Sequence, residues 1–139
     1  MRVVLDTNVL LSALLSPHGG PDIIYRAWQK NLFPLVTSMA QLDELRRASR
    51  YEKFKDVLQP YRVGTMINNL QRAIVIDTPS SLPNNIEATD PNDTFLLAIA
   101  WAGDADYLVT GDHRSGLLQQ KSIGRARIVT PTIFCKEVL

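Results

Sequence analysis

Four acidic residues spread along most of the chain, Asp6, Glu44, Asp93 and Asp112, are the side chains best placed to do chemistry. Two of them follow short apolar runs, in Val3-Val4-Leu5-Asp6 and in Leu108-Val109-Thr110-Gly111-Asp112. Carboxylates gathered in a partly desolvated place repel and raise one another's pKa unless a cation compensates them. The cation suited to oxygen donors is Mg²⁺ or Mn²⁺, which takes carboxylate and water ligands and leaves positions for a substrate phosphate. Such an ion activates water and stabilises charge during in-line phosphoryl displacement. Competing chemistries lack their residues. The histidines are His18 and His113, Cys135 is the single cysteine, and there is no Cys-x-x-Cys, no Gly-x-x-x-x-Gly-Lys loop and no Gly-x-Ser-x-Gly turn.

Each acid also has a plainer reading. Asp93 lies three residues after Asp90 and fits a capping box at the positive end of a helix. Glu44 has the spacing of a helix-surface partner for Arg46 or Arg47, and Asp112 that of a turn residue after Gly111. Asp6 is harder to explain in this way, because an acid at the end of a buried strand needs a partner.

The elements that must bring these residues together are strands alternating with helices. Arg2–Leu5, Leu32–Thr37, Ala73–Ile76, Tyr107–Thr110 and Ala126–Val129 read as short buried strands without polar alternation. Helical spacing runs over Val9–Leu15, over Asp22–Asn31, from a Ser38 cap through Leu45 and Ala48, and over 51–72 with a break near Pro60. Thr94–Ala102 follows an Asp90 cap with Pro91 at the first helical position, and Thr130-Pro131 opens a last helix. The residues from Asp77 to Asn85 are the most turn-rich stretch. This alternation predicts an α/β fold with a central parallel sheet of about five strands and right-handed crossovers. In such sheets the working site lies beyond the carboxyl ends of the strands, where strand order reverses. All four acids belong to that edge, whereas Asp106, just ahead of a strand, belongs to the opposite one, and Asp43 turns about 100° away from Glu44.

At 139 residues and 15.6 kDa the chain is expected to form one domain, residues 1–139. Apolar residues make up 45% and charged residues 21%, which excludes a disordered chain or a disulfide scaffold. No apolar run approaches the roughly 20 residues of a membrane span, so no membrane partner is expected. With one cysteine and an acid at position 6 interrupting any signal core, a cytoplasmic location fits best. A net charge of +1 argues against coating nucleic acid by bulk charge. Contacts with RNA must be local, through Arg46, Arg47 and Arg50, or through His113 and Arg114, although such residues also form ordinary solvated faces.

Together these pieces resemble the PIN-domain ribonucleases, and within them the toxin-like components of bacterial toxin–antitoxin pairs. The likeness rests on Val3-Val4-Leu5-Asp6-Thr7-Asn8-Val9-Leu10, on Thr37-Ser38 followed by Leu42-Asp43-Glu44-Leu45, on Asp90-Pro91-Asn92-Asp93, and on Ala105-Asp106-Tyr107-Leu108-Val109-Thr110-Gly111-Asp112. It spans nearly the whole chain. The resemblance implies a three-layer α/β/α PIN-like domain and Mg²⁺- or Mn²⁺-dependent cleavage of RNA. Carried over residue by residue, it implies that Asp6, Asp93 and Asp112 hold metal while Glu44 positions or polarises water. Asn8 would orient the first ligand, and Thr7, Ser38 and Thr110 would hold carboxylates by hydrogen bonds. It also implies a cognate antitoxin and a homodimer, for which Ile24, Trp28, Ile67 and Leu70 are candidate face residues. The sequence departs from the pattern in a long 78–89 loop and in a polar, basic insertion from His113 to Lys121. The alternative is a PIN-like module that binds RNA or protein with weak catalysis. An aspartyl phosphatase is disfavoured by Asn8, which stands where that pattern has a second acid, and a phospho-receiver by the missing paired acids and lysine.

Overall fold

A computed structural model describes residues 1–77, 91–111 and 117–139, with backbone only for 91–93. Strand β1 (Val3–Leu5) leads directly into α1 (Thr7–Leu15) and α2 (Gly20–Gln29). There follow β2 (Leu35–Ser38), α3 (Met39–Ser49), a 3-10 turn at Glu52–Phe54, α4 (Pro60–Leu70) and β3 (Ile74–Ile76). The second half comprises α5 (Pro91–Ala102), β4 (Tyr107–Val109), α6 (Leu117–Gln120), β5 (Ser122–Ile123), β6 (Ala126–Val129) and α7 (Pro131–Val138).

The sheet order is β3-β2-β1-β4-β6-β5, parallel except for the antiparallel β5–β6 pair. Successive residues of the central strands face opposite layers. Val3, Leu5, Leu35, Val109 and Val129 pack with side chains of α1, α2, α3, α4 and α7. Val4, Val36, Leu108 and Ile128 pack with Leu96, Leu97, Ile99 and Ala100 of α5 and with Leu117 of α6. Both faces are covered, which is why these strands read as unbroken apolar runs. From β1 the chain moves outward through β2 to β3, then crosses back by α5 to β4 on the other side of β1. The order reverses between β1 and β4, and a right-handed crossover in the reversed direction places α5 on the face opposite α1–α4.

The structure differs from the sequence reading in four respects. The sheet has six strands rather than five. The extra one, β5, is two residues long, too short for any periodicity to register. It follows α6, which lies at the end of the stretch read as an insertion, and it returns into β6 through Gly124 at φ 55°. Strand β2 begins at Leu35, not Leu32, because α2 closes with Asn31 at φ 62° and with bonds from the Asn31 and Leu32 amides to the carbonyls of Trp28 and Ala27. This is a left-handed helix stop that leaves Leu32 exposed. Helix α1 starts at Thr7, two residues before Val9, since Asp6 caps it. Finally Ile24, Trp28, Ile67 and Leu70, read as dimer-face candidates, are all core residues buried against the rest of the chain. Residues 78–90, including the Asp90 cap, and 112–116 lie outside the described residues. Among the described residues no helix is long and apolar enough to cross a membrane.

Candidate active site

Asp6 stands at the reversal point. Its amide donates to the Val109 carbonyl at 2.9 Å, extending the β1–β4 ladder by one residue, and its side chain then turns to cap α1. The Asn8 amide donates to Asp6 Oδ1 at 3.1 Å, and the Thr110 hydroxyl donates to Asp6 Oδ2 at 2.7 Å. Asp6 is 6% exposed and Thr110 is fully buried. A carboxylate taken this far out of water needs donors, and these two, an amide and a hydroxyl, carry no net charge. Asn8 therefore acts through its amide, while the residue itself is exposed.

Glu44 reaches the same region from the second turn of α3. It is half-buried, and its carboxyl pKa is pushed above the usual range by burial first and by the Asp6 charge second. Thr7 and Arg47 oppose that shift from the other side. Among the described residues Glu44 has no ion pair. Of its two expected surface partners, Arg46 is bonded to Asp43 at 3.1 Å on the exposed side of the helix, and Arg47 acts on Glu44 as a nearby charge. Glu44 thus feels the Asp6 charge from the carboxyl edge of β1 as well as the opposite charge of Arg47 on its own helix. The Thr7 hydroxyl, in a residue 3% exposed, lies close enough to Glu44 to favour its ionised form, yet makes no hydrogen bond of normal geometry among the described residues. A buried hydroxyl left open in this way costs about 1–3 kcal/mol unless something else occupies it.

The remaining predicted residues fall in different places. Ser38 is fully buried, but its hydroxyl accepts from the Gln41 amide at 3.1 Å and caps α3 rather than reaching a carboxylate. Asp93 lies in the first turn of α5, whose start is at the carboxyl edge because its end feeds the amino end of β4. Asp112, His113 and Arg114 lie outside the described residues. Arg46 and Arg50 line a cleft of about 220 Å³ between α3 and α4, with Leu58, Val63 and Ile67 on its apolar wall. Arg47 alone of that trio acts on Glu44. Asp106 sits at the far edge, accepting from the Arg2 amide at 2.8 Å and pairing with Arg125 at 2.7 Å. The sequence reading missed Gln41, which is 1% exposed and bonded on three sides. A glutamine among apolar helix positions, three residues before Glu44, was the available signal.

The donor set suits a hard divalent ion. Two carboxylates repel, the buried Thr7 hydroxyl lies beside Glu44, and among the described residues the donors at this edge are oxygens. Among the described residues no group of three or more acids, histidines or cysteines that could hold a metal assembles, and the side chains of Asp93 and Asp112 lie outside them.

The raised Glu44 pKa carries a stability consequence with a definite sign. The unfolded chain loses this proton near pH 4.5 and the folded chain only at higher pH, so metal-free stability falls as pH rises through that interval. Below it the contribution is complete. We expect Glu44→Gln to flatten the melting temperature against pH above 4.5 and to melt higher than wild type at neutral pH in EDTA, read by thermal scans in a buffer series.

Comparisons with known proteins bear on the family and the fold. A family model described as PIN domain matches residues 2–114. Among solved structures the chain is similar to the crystal structure of VapBC2 from Rickettsia felis bound to a DNA fragment from their promoter. The TM-score is 0.60 at 20% sequence identity, covering 94% of this chain and 98% of that one. A comparison with curated proteins gave no match.

Proposed function

The chain belongs to the PIN-domain family, and from that premise we propose that it is a Mg²⁺- or Mn²⁺-dependent endoribonuclease, the toxin half of a toxin–antitoxin pair. The observation that carries the reading is the placement of Asp6 at the strand-order reversal, 6% exposed and held by the Asn8 amide and the Thr110 hydroxyl, with Glu44 near enough to feel its charge. Two carboxylates whose proximity costs stability are retained most economically where a cation relieves them.

Asp6, with Asp93 and Asp112, would hold the ion, and Glu44 would position or polarise the attacking water. The ion, when bound, supplies Lewis-acid stabilisation of the phosphodiester and lowers the cost of ionising water. The chain's own role is to hold and to orient. Thr110 and the Asn8 amide hold both oxygens of Asp6, so that the carboxylate needs no rearrangement when charge develops. Glu44, a carboxylate beside Asp6, would accept the proton of the entering water. Arg47 places a cation beside the site, where a phosphate backbone would pass. Single-stranded or looped RNA is the fitting substrate, since its phosphates and bases are not enclosed in a helix. The likeness to VapBC2 supports a cognate antitoxin as the partner.

The test is incubation of purified protein with mixed RNAs in Mg²⁺, Mn²⁺ or EDTA, with Mn²⁺ binding measured in parallel. Cleavage in the metal arms alone supports the reading. Mn²⁺ binding without cleavage across diverse RNAs favours the catalytically weak binding module, and no Mn²⁺ binding overturns the site. In the same assay Thr110→Val, which keeps shape and removes the donor to Asp6 Oδ2, is expected to weaken Mn²⁺ binding about 10–100-fold.

A further inference from the structure

Gln41 occupies a position that none of the proposed chemistry uses. It is 1% exposed, in the first turn of α3, and its carboxamide bonds at both ends. Nε2 donates to the Leu5 carbonyl at 2.6 Å, and Oε1 accepts from the Thr37 hydroxyl at 2.6 Å. The orientation is dictated by chemistry, because the Leu5 carbonyl can only accept and so must meet the amide nitrogen. Its own backbone amide is taken by Ser38 Oγ.

The location gives these bonds their meaning. Pairing of β1 with β4 continues to Leu5↔Val109, whereas pairing of β1 with β2 ends one residue earlier, at Val4↔Val36. The strands diverge on the β2 side at the residue before Asp6, and the Leu5 carbonyl is left without a ladder partner there. The Gln41 side chain supplies one. Through Thr37 the same carboxamide ties back to β2, so one side chain joins β1, β2 and α3 at their common carboxyl edge. Gln41 and Glu44 are one helical turn apart on α3, and Leu5 is the residue next to Asp6. Whatever fixes Gln41 against Leu5 therefore fixes the separation of the two carboxylates.

We propose that Gln41 is a positioning residue that sets the Asp6–Glu44 spacing by bonding the Leu5 carbonyl, and thereby tunes divalent-ion affinity. This rests on the metal-site reading above. It predicts that losing the carboxamide damages ion binding beyond its effect on folding, by the roughly 10–100-fold typical of groups that orient ligands from outside.

The experiment titrates Mn²⁺ into wild type, Gln41→Met, Thr37→Val and Phe134→Leu, following free Mn²⁺ by electron paramagnetic resonance, with urea stability measured on each. Met preserves volume and removes both polar contacts. Thr37→Val releases the carboxamide from β2 while leaving Gln41 in place, and it serves if Gln41→Met does not fold. Phe134→Leu lowers stability in the core away from this edge. The expected result is about tenfold or more weaker Mn²⁺ binding for Gln41→Met, a smaller loss in the same direction for Thr37→Val, and wild-type affinity for Phe134→Leu. Unchanged affinity in a folded Gln41→Met or Thr37→Val, or an equal loss in Phe134→Leu, overturns the positioning role while leaving the site intact. Wild type that binds no Mn²⁺ overturns both.

Discussion

Asp6→Asn is expected to abolish metal-dependent RNA cleavage while leaving the fold standing. The substitution removes one negative charge at the strand reversal and changes almost no volume. An asparagine still offers one oxygen to either Thr110 or the Asn8 amide, so one of these two bonds to Asp6 survives. Loss of the other costs about 1–3 kcal/mol, and some of that is offset because Glu44 no longer feels a like charge. The metal-free variant should therefore melt within several degrees of wild type. Activity has no such compensation. A residue that orients a metal ligand is worth about 10–100-fold, and loss of a ligand itself should exceed that, so cleavage is expected to fall by more than about 100-fold. Cleavage rates at saturating Mg²⁺ and a thermal scan in EDTA separate the two effects. Retained cleavage by a folded Asp6→Asn would place the chemistry elsewhere in the protein.

The second large effect concerns a helix beyond the matched family segment. Phe134, on α7, has no solvent exposure and is gripped by two aromatic rings at nearly perpendicular angles. The ring of Phe33 lies 5.4 Å away at 80° and that of Tyr107 5.3 Å away at 84°. Truncating a buried phenylalanine costs about 3–5 kcal/mol, from lost transfer energy and the cavity left behind. Edge-to-face contacts of this kind add about 0.5–1.5 kcal/mol beyond area. Against a typical total of about 5–15 kcal/mol, Phe134→Ala should remove a large fraction of the stability. Urea unfolding at 25 °C reads the change as a lower midpoint at unchanged slope. A loss under about 1 kcal/mol, well below the range for a filled site, would mean that α7 is an appendage. The expected loss means that the last helix, together with β6, completes the core over β4.

Asp6 was visible in the sequence because an acid at the end of an apolar strand has no cheap explanation, and parallel topology sends strand ends to one edge. The same logic placed Asp106 at the opposite edge and turned Asp43 outward, as found. The central strands β1, β2 and β4 could be read for a similar reason, since burial on both faces writes itself into composition. Helix starts at Ser38 and Thr130 were legible too, because capping is a local bond between a hydroxyl and an amide three residues on.

Local preferences, and the sides on which Asp6, Asp43 and Asp106 fall, were therefore written in the chain itself. The partners were settled only when the whole chain packed. Whether Glu44 pairs with an arginine or faces Asp6 depends on how α3 rolls against β1, a choice that spacing along one helix cannot express. Ile24, Trp28, Ile67 and Leu70 have the same pattern whether they meet another helix of this chain or another molecule, and only packing showed that they meet this chain. Strand β5 exists because β6 offers it an edge, and Gln41 matters because β1 and β2 diverge just before Asp6. Each of these depends on bonds between residues far apart in sequence, whose formation is set by packing of the whole chain rather than by the propensity of any segment.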